Sequence, residues 1–182
     1  MTTITLISGS PSKQSKTAEI ANRLQKELLK RGHHVHLIHV RDLPAEDLLH
    51  AKFDSEAIAQ THEWIREADA VMVLSPVYKG SYTGILKAFL DLLPEKAFLG
   101  KIIAPIVTGG TIAHLLSIEY ALKPIFSIMG AKEILHGVFI LDKTIQRDET
   151  GEIFFPSDIE ERIKEVLQSI SNTQTLKPSF NK

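Results

Sequence analysis

Ser8-Gly9-Ser10-Pro11-Ser12-Lys13-Gln14-Ser15-Lys16-Thr17 puts five hydroxyl side chains and two lysines in ten residues, beside a single glycine. The stretch follows Ile4-Thr5-Leu6-Ile7 and opens an amphipathic segment, so it reads as a turn from a strand into a helix. Free N–H groups and the positive dipole end of such a helix suit a phosphate. Serine and threonine hydroxyls would complete the ring of donors. An ordinary helix start with Ser15 as N-cap is the plainer reading. One cap needs one hydroxyl, and the surplus favours phosphate.

Two further stretches share this donor-rich character. In Ser75-Pro76-Val77-Tyr78-Lys79-Gly80-Ser81-Tyr82-Thr83-Gly84, Pro76 biases Ser75 towards an extended backbone, and Gly80 and Gly84 permit close approach. Tyr78 and Tyr82 offer planar apolar faces with polar tips, suited to a flat heteroaromatic ring, or simply to covering a sheet edge. Thr108-Gly109-Gly110-Thr111 adds bare backbone donors, or a tight glycine turn. Three such loops at one edge favour a ligand with a phosphate and a ring over three coincidences.

The elements that must position these loops alternate along the chain. Strands are expected at 3–8, 33–40, 70–74, 101–107 and 133–139, and helices at 15–31, 55–68, 83–93, 111–129 and 157–170. Ala18, Ala21, Leu24 and Leu28 make the first helix's apolar stripe, with Gly32 as its stop. Ala70-Val71-Met72-Val73-Leu74 is the continuous apolar run of a central parallel strand, whereas four histidines put 33–40 at an edge. Pro105 denies its strand one ladder hydrogen bond. Residues 41–53 read as loose, and 140–156 as a polar excursion turning at Asp148-Glu149-Thr150-Gly151. Ser157 and Glu160 spell a capping box for the last helix. The pattern gives one domain over 1–170, with a frayed polar tail at 171–182. It is an α/β fold: a doubly wound five-stranded parallel sheet in the flavodoxin-like order 2-1-3-4-5, with helices on both faces. Ligands on such sheets bind at the carboxyl ends of the strands, where all three loops fall.

Bulk composition removes whole classes of function. The 182 residues are 43% hydrophobic and 24% charged with formal net charge −1, which gives no support for nucleic-acid binding. The absence of cysteine excludes disulfide scaffolds and thiol mechanisms. No leader or bilayer-length apolar run is seen, so the expectation is a soluble, cytoplasmic protein with no membrane partner. Helix 111–129 is apolar nearly all round, which points to an oligomer contact, and Pro124 should disturb it.

The segments GSPSKQSKT, SPVYKGSYTGILKAFLDLLP and TGGTIAHLL together resemble the NAD(P)H-dependent FMN reductase family, over about residues 3–140. LKAFLDLLPEKAFLGK and EYALKPIFSIMGAKEILHGVF narrow the likeness to NADPH:FMN reductases that serve alkanesulfonate monooxygenases. The resemblance implies a flavodoxin-like fold, dissociable FMN at the three loops, NADPH as hydride donor, and a flavin-dependent monooxygenase as partner. It places Ser10, Ser15 and Thr17 on the FMN phosphate, with Lys13 or Lys16 meeting its charge, because some relatives carry arginine where Ser12 stands. Pro76, Val77, Tyr78 and Lys79 would line the ring, with Thr108, Gly109 and Gly110 on its polar edge. Lys79 stands where many relatives have asparagine; with the Gly109 and Gly110 N–H groups it could support charge at the N1/O2 edge. Tyr120 fits a tyrosine associated with a π-type bulge at a subunit interface in that subgroup, implying a homo-oligomer. Rival readings are a reductase of quinones or azo dyes that retains FMN, and a noncatalytic electron carrier like flavodoxin, which the near-zero net charge disfavours.

Other chemistry fits the residues less well. His33, His34, His36 and His39 lack acidic or thiol companions for a metal, and His114 and His136 stand alone. Only Gly9 follows the first strand, so a dinucleotide G-x-G-x-x-G is missing and Asp42 is a thin ribose partner. No G-x-S-x-G supports a hydrolase.

Overall fold

Successive residues of a strand face opposite sides of a sheet, so each apolar strand supplies two cores. The computed structural model describes residues 1–172. In chain order the elements are β1 (Thr3–Ser8), α1 (Lys16–Lys30), β2 (His34–His39), α2 (Ala45–Leu49), α3 (Glu56–Glu67), β3 (Ala70–Pro76) and α4 (Gly84–Leu92). There follow β4 (Ile102–Gly109), α5 (Lys123–Ile128), β5 (Glu133–Ile134), β6 (Val138–Leu141), β7 (Gln146–Arg147), β8 (Ile153–Phe154) and α6 (Ser157–Ser171). The parallel sheet runs β2-β1-β3-β4-β5, with β6 also paired to β4. This is the expected 2-1-3-4-5 order, and β2 is an edge strand as its histidines suggested.

Leu6, Met72, Leu74, Ala104, Ile106 and Ile140 pack under α1 and α6. On the other face Ile7, Val71, Val73, Ile103, Val107 and Phe139 pack under α3, α4 and α5. The expected α1 stripe of Ala18, Ala21, Leu24 and Leu28 is fully buried. Ser15 caps α1 by accepting from the Ala18 N–H at 3.1 Å, and Gly32, at φ +82°, follows its C-cap.

Four expectations need correction. The strand expected at 133–139 is two short strands, because of Pro105. Odd-numbered residues of β4 turn their backbone groups towards the fifth position: Leu135 N–H donates to Ile103 O at 2.9 Å. Pro105 therefore lacks its N–H on that side. Gly137, at φ +80°, fills the gap so closely that a Cβ there would sit 2.7 Å from Pro105.

The helix expected over 111–129 is broken into three pieces. A 3-10 turn spans Ile112–His114, a π turn spans Ile118–Leu122, and only then does α5 begin. Pro124 has no N–H to continue an α ladder, and Lys123 N–H bonds Ile118 O five residues back. The π turn carries Tyr120, as the resemblance implied.

The capping box at Ser157 does not form. Pro156 is the N-cap with no side-chain bond, although Glu160 does reach back, accepting from Phe155 N–H at 3.1 Å. Finally, 41–53 is not structureless, since it holds a 3-10 turn at Val40–Asp42 and α2. The excursion after β6 folds into the antiparallel β7–β8 hairpin, with Asp148 accepting from Thr150 and Glu152 across its turn. Of the tail, Ser171 ends α6 and Asn172 is its C-cap; 173–182 lies outside the described residues.

Candidate functional site

β1, β3 and β4 end side by side, and their carboxyl ends release the three donor-rich loops onto one rim. The loops are tied to one another by hydroxyls and backbone. Gly9 N–H donates to Leu74 O at 2.8 Å, and Val77 N–H to Thr108 O at 2.8 Å. Thr83 caps α4 and its hydroxyl also donates to Gly9 O at 2.5 Å, while Thr83 N–H donates to Ser75 Oγ at 3.2 Å. Thr17 Oγ1 and Thr108 Oγ1 lie 2.7 Å apart, joining the start of α1 to the end of β4.

Two glycines are required by packing. A Cβ on Gly9 would stand 2.7 Å from Leu86 Cβ, and one on Gly109 would stand 2.9 Å from Phe139 Cζ. Gly9 thus lets α4 close against the first loop. Gly110, by contrast, is exposed with open space around it.

The middle loop is a tight hairpin. Tyr78 N–H donates to Ser81 O at 2.8 Å and Ser81 N–H returns to Tyr78 O at 3.1 Å. Lys79 and Gly80 both have positive φ, +51° and +80°, which is the geometry of a two-residue I′ turn. The turn lifts Tyr78 to 51% exposure, whereas Tyr82 packs partly into the core, where burial raises its phenol above the ordinary value. An exposed, backbone-held tyrosine offers one ring face to a planar ligand.

The first loop holds surplus donors. Ser8 Oγ and Ser10 Oγ are buried and have no hydrogen-bond partner among the described residues. Leaving such a hydroxyl unpaired costs about 1–3 kcal/mol, which an external acceptor would recover. Ser15 Oγ accepts from the helix and keeps its own O–H to donate. These donors fit a phosphate ester at the start of α1.

Comparison with known proteins bears directly on that fit. The family described as NADPH-dependent FMN reductase matches residues 2–146. The chain belongs to this family. It is 44% identical over 164 residues to an "FMN reductase (NADPH)" of Pseudomonas putida, covering 90% of this chain and 83% of that one. An "FMN reductase (NADPH)" of Escherichia coli is 44% identical over 145 residues, covering 80% of this chain and 75% of the other. A crystal structure of an NADH:FMN oxidoreductase in its apo form superposes with TM-score 0.85 at 31% identity, covering 99% of this chain and 92% of the other. Family membership makes the chain an oxidoreductase of the flavin-reductase class.

Set in this FMN reductase family, the residues singled out from sequence divide into three groups. Ser10, Ser15, Thr17, Pro76, Val77, Thr108 and Gly109 lie on the tied rim. Tyr78, Lys79 and Gly110 stand exposed at its mouth. Lys16 lies at the rim but its Nζ is bonded to Asp142 O, while Lys13 is exposed with no bond among the described residues. Sequence reasoning missed Thr83, which laces two loops together, and Arg41, whose Nη1 donates to Ser12 O at 2.7 Å. Thr83 was legible in principle as the N-cap before Gly84. Arg41 was not, since only the β1–β2 pairing brings it to residue 12.

No described helix is long and apolar enough to cross a membrane. A groove of about 650 Å³ lies away from the rim, between α1 and the β7–β8 hairpin. Ion pairs cross it, Arg147 with Glu19 at 2.7 Å and Lys26 with Glu152 at 3.7 Å.

Proposed function

We propose that this chain, as one domain over 1–170, reduces FMN with NADPH and releases the reduced flavin to a flavin-dependent monooxygenase of the alkanesulfonate type. The observation that carries the reading is the buried, unpartnered Ser10 hydroxyl on a loop that opens a helix, within a rim whose other loops are fixed to it. FMN held on this rim would supply the N5 acceptor for a hydride from the nicotinamide. The protein's own residues bind and orient. Ser10 and Ser15 hold the phosphate end through their hydroxyls, and Thr17 through its backbone N–H at the start of α1, its own hydroxyl being paired with Thr108. Pro76, Val77 and Tyr78 bed the ring. The N–H of Gly110, with Lys79, supports negative charge at the ring's polar edge. No acid–base pair is needed, since the chemistry belongs to the bound groups and the protein supplies position and field. The exposed mouth at Tyr78 and Gly110 leaves room for a nicotinamide to stack and for the flavin to depart.

NADPH oxidation followed with and without added FMN tests the reading. Turnover that depends on added FMN supports a dissociable flavin. FMN that copurifies stoichiometrically and resists dialysis overturns that part, in favour of a reductase that retains its flavin; no turnover in either case leaves an electron carrier.

We also infer a cytoplasmic homo-oligomer built through 111–129. Ile112, Leu116, Tyr120 and Ile128 are all more than half exposed on this segment, an apolar surface out of keeping with an isolated chain.

A further inference from the structure

We propose that Arg41 supplies the counter-charge for the ligand's phosphate, and so selects a phosphorylated flavin over bare riboflavin; this rests on the flavin-binding reading above. Arg41 lies in the Val40–Asp42 turn directly after β2. The β1–β2 register sets His39 beside Ser8, so both strands end together on the rim. Arg41 bridges the two exits: its Nη1 holds Ser12 O at 2.7 Å, two residues from the buried, unpartnered Ser10 hydroxyl.

The guanidinium is under-satisfied where it sits. Its side chain is only 13% exposed, and its Nε is buried without a hydrogen bond among the described residues. Asp42 is the nearest acid, at 3.5 Å from Nε and itself largely exposed. A largely enclosed cation with one carbonyl bond and one long contact to an exposed carboxylate is left under-coordinated, and an anion would complete its shell. The other cations of the loop are less suited. Lys16 is bound to Asp142 O, and Lys13 stands in solvent. A phosphate at the start of α1 would meet the helix dipole on one side and a planar fork of donors on the other.

Binding of FMN and of riboflavin to the apoprotein, read by flavin fluorescence at low and high salt, tests the assignment. Arg41→Met is expected to weaken FMN about 10- to 100-fold, the range for a hydrogen bond to a charged group. Riboflavin affinity should stay within about twofold, and the salt dependence of FMN binding should flatten. Arg41→Lys, which keeps the charge and loses the fork, should fall between. Asp42→Asn removes the competing carboxylate and should tighten FMN about twofold without touching riboflavin. Equal losses for both flavins would mean that Arg41 only holds the loop, and unchanged FMN binding in either Arg41 variant would overturn the proposal. A wild-type protein that bound neither flavin would overturn the flavin reading itself, a separable result.

Discussion

A hydroxyl that is buried and unpaired in the free protein is a stability cost that a ligand would offset. Ser10 is 1% exposed, and its Oγ has no partner among the described residues. Ser10→Ala should leave the melting temperature of the apoprotein unchanged or slightly raised, because the unsatisfied group is gone. The same change should weaken FMN about tenfold, since a hydrogen bond to a phosphate is lost. Differential scanning fluorimetry and flavin titration check the two halves, and a variant that lost stability and kept affinity would sink the assignment. Residue type alone made this loop readable, because five hydroxyls exceed what a helix start can use. It picked out Ser15 as the cap but did not sort the rest: Thr17 is paired with Thr108 while Ser8 and Ser10 are left unpaired, which only the fold shows.

Elements fail to follow local sequence where a neighbouring strand decides the matter. Residues 133–139 have strand-like composition, yet Pro105 on β4 withholds the donor they need and the strand splits at Gly137. The broken 111–129 segment was half legible, since Pro124 announces a disturbance but not a π turn. Lys101 shows the same dependence on tertiary partners. Its Nζ donates to Arg66 O at 2.9 Å and Ala68 O at 2.7 Å, closing the C-terminus of α3, and burial holds its ammonium below the ordinary value. Lys101→Met keeps the aliphatic stem and orphans both carbonyls, so unfolding in urea should show a loss of about 1–3 kcal/mol. The edge strand makes a pH-dependent contribution. Burial lowers the pKa of His33, His36 and His39, with Arg31 and Arg41 adding to the effect at the first and last. The folded state therefore prefers these rings neutral. Below their ordinary value of 6.5 the unfolded chain takes up protons first, and stability falls with acidification. His36 stacks on Trp64 at 5.1 Å, so His36→Phe retains the contact and should flatten the decline of melting temperature between about pH 7.5 and 5.5. An equally steep decline would place the acid sensitivity elsewhere.

At the scale of the whole molecule, the two faces of the sheet are covered unequally. α1 and α6 are regular helices of fifteen residues each, while part of the opposite face is closed by the interrupted segment leading into α5. Ile118, Leu122 and Phe126 point inward from that segment and are buried, which already satisfies its share of the core. Widening the turn at Ile118–Leu122 leaves Tyr120 78% exposed, beside Leu116 and in line with Ile128. These apolar side chains, which serve no core of their own chain, are the surface that the proposed second copy would cover. Tyr120→Glu and Leu116→Glu should therefore lower the mass measured by light scattering to that of a smaller assembly, through desolvation of an unpaired carboxylate at the contact. Their melting temperature should lose its dependence on protein concentration, which wild type should show. FMN titration serves as the control for folding, because the loop after β1 and its ties to Thr83 and Thr108 do not involve these side chains. A wild-type protein that scatters as a monomer at every concentration would remove the oligomer and leave the apolar surface for a different partner.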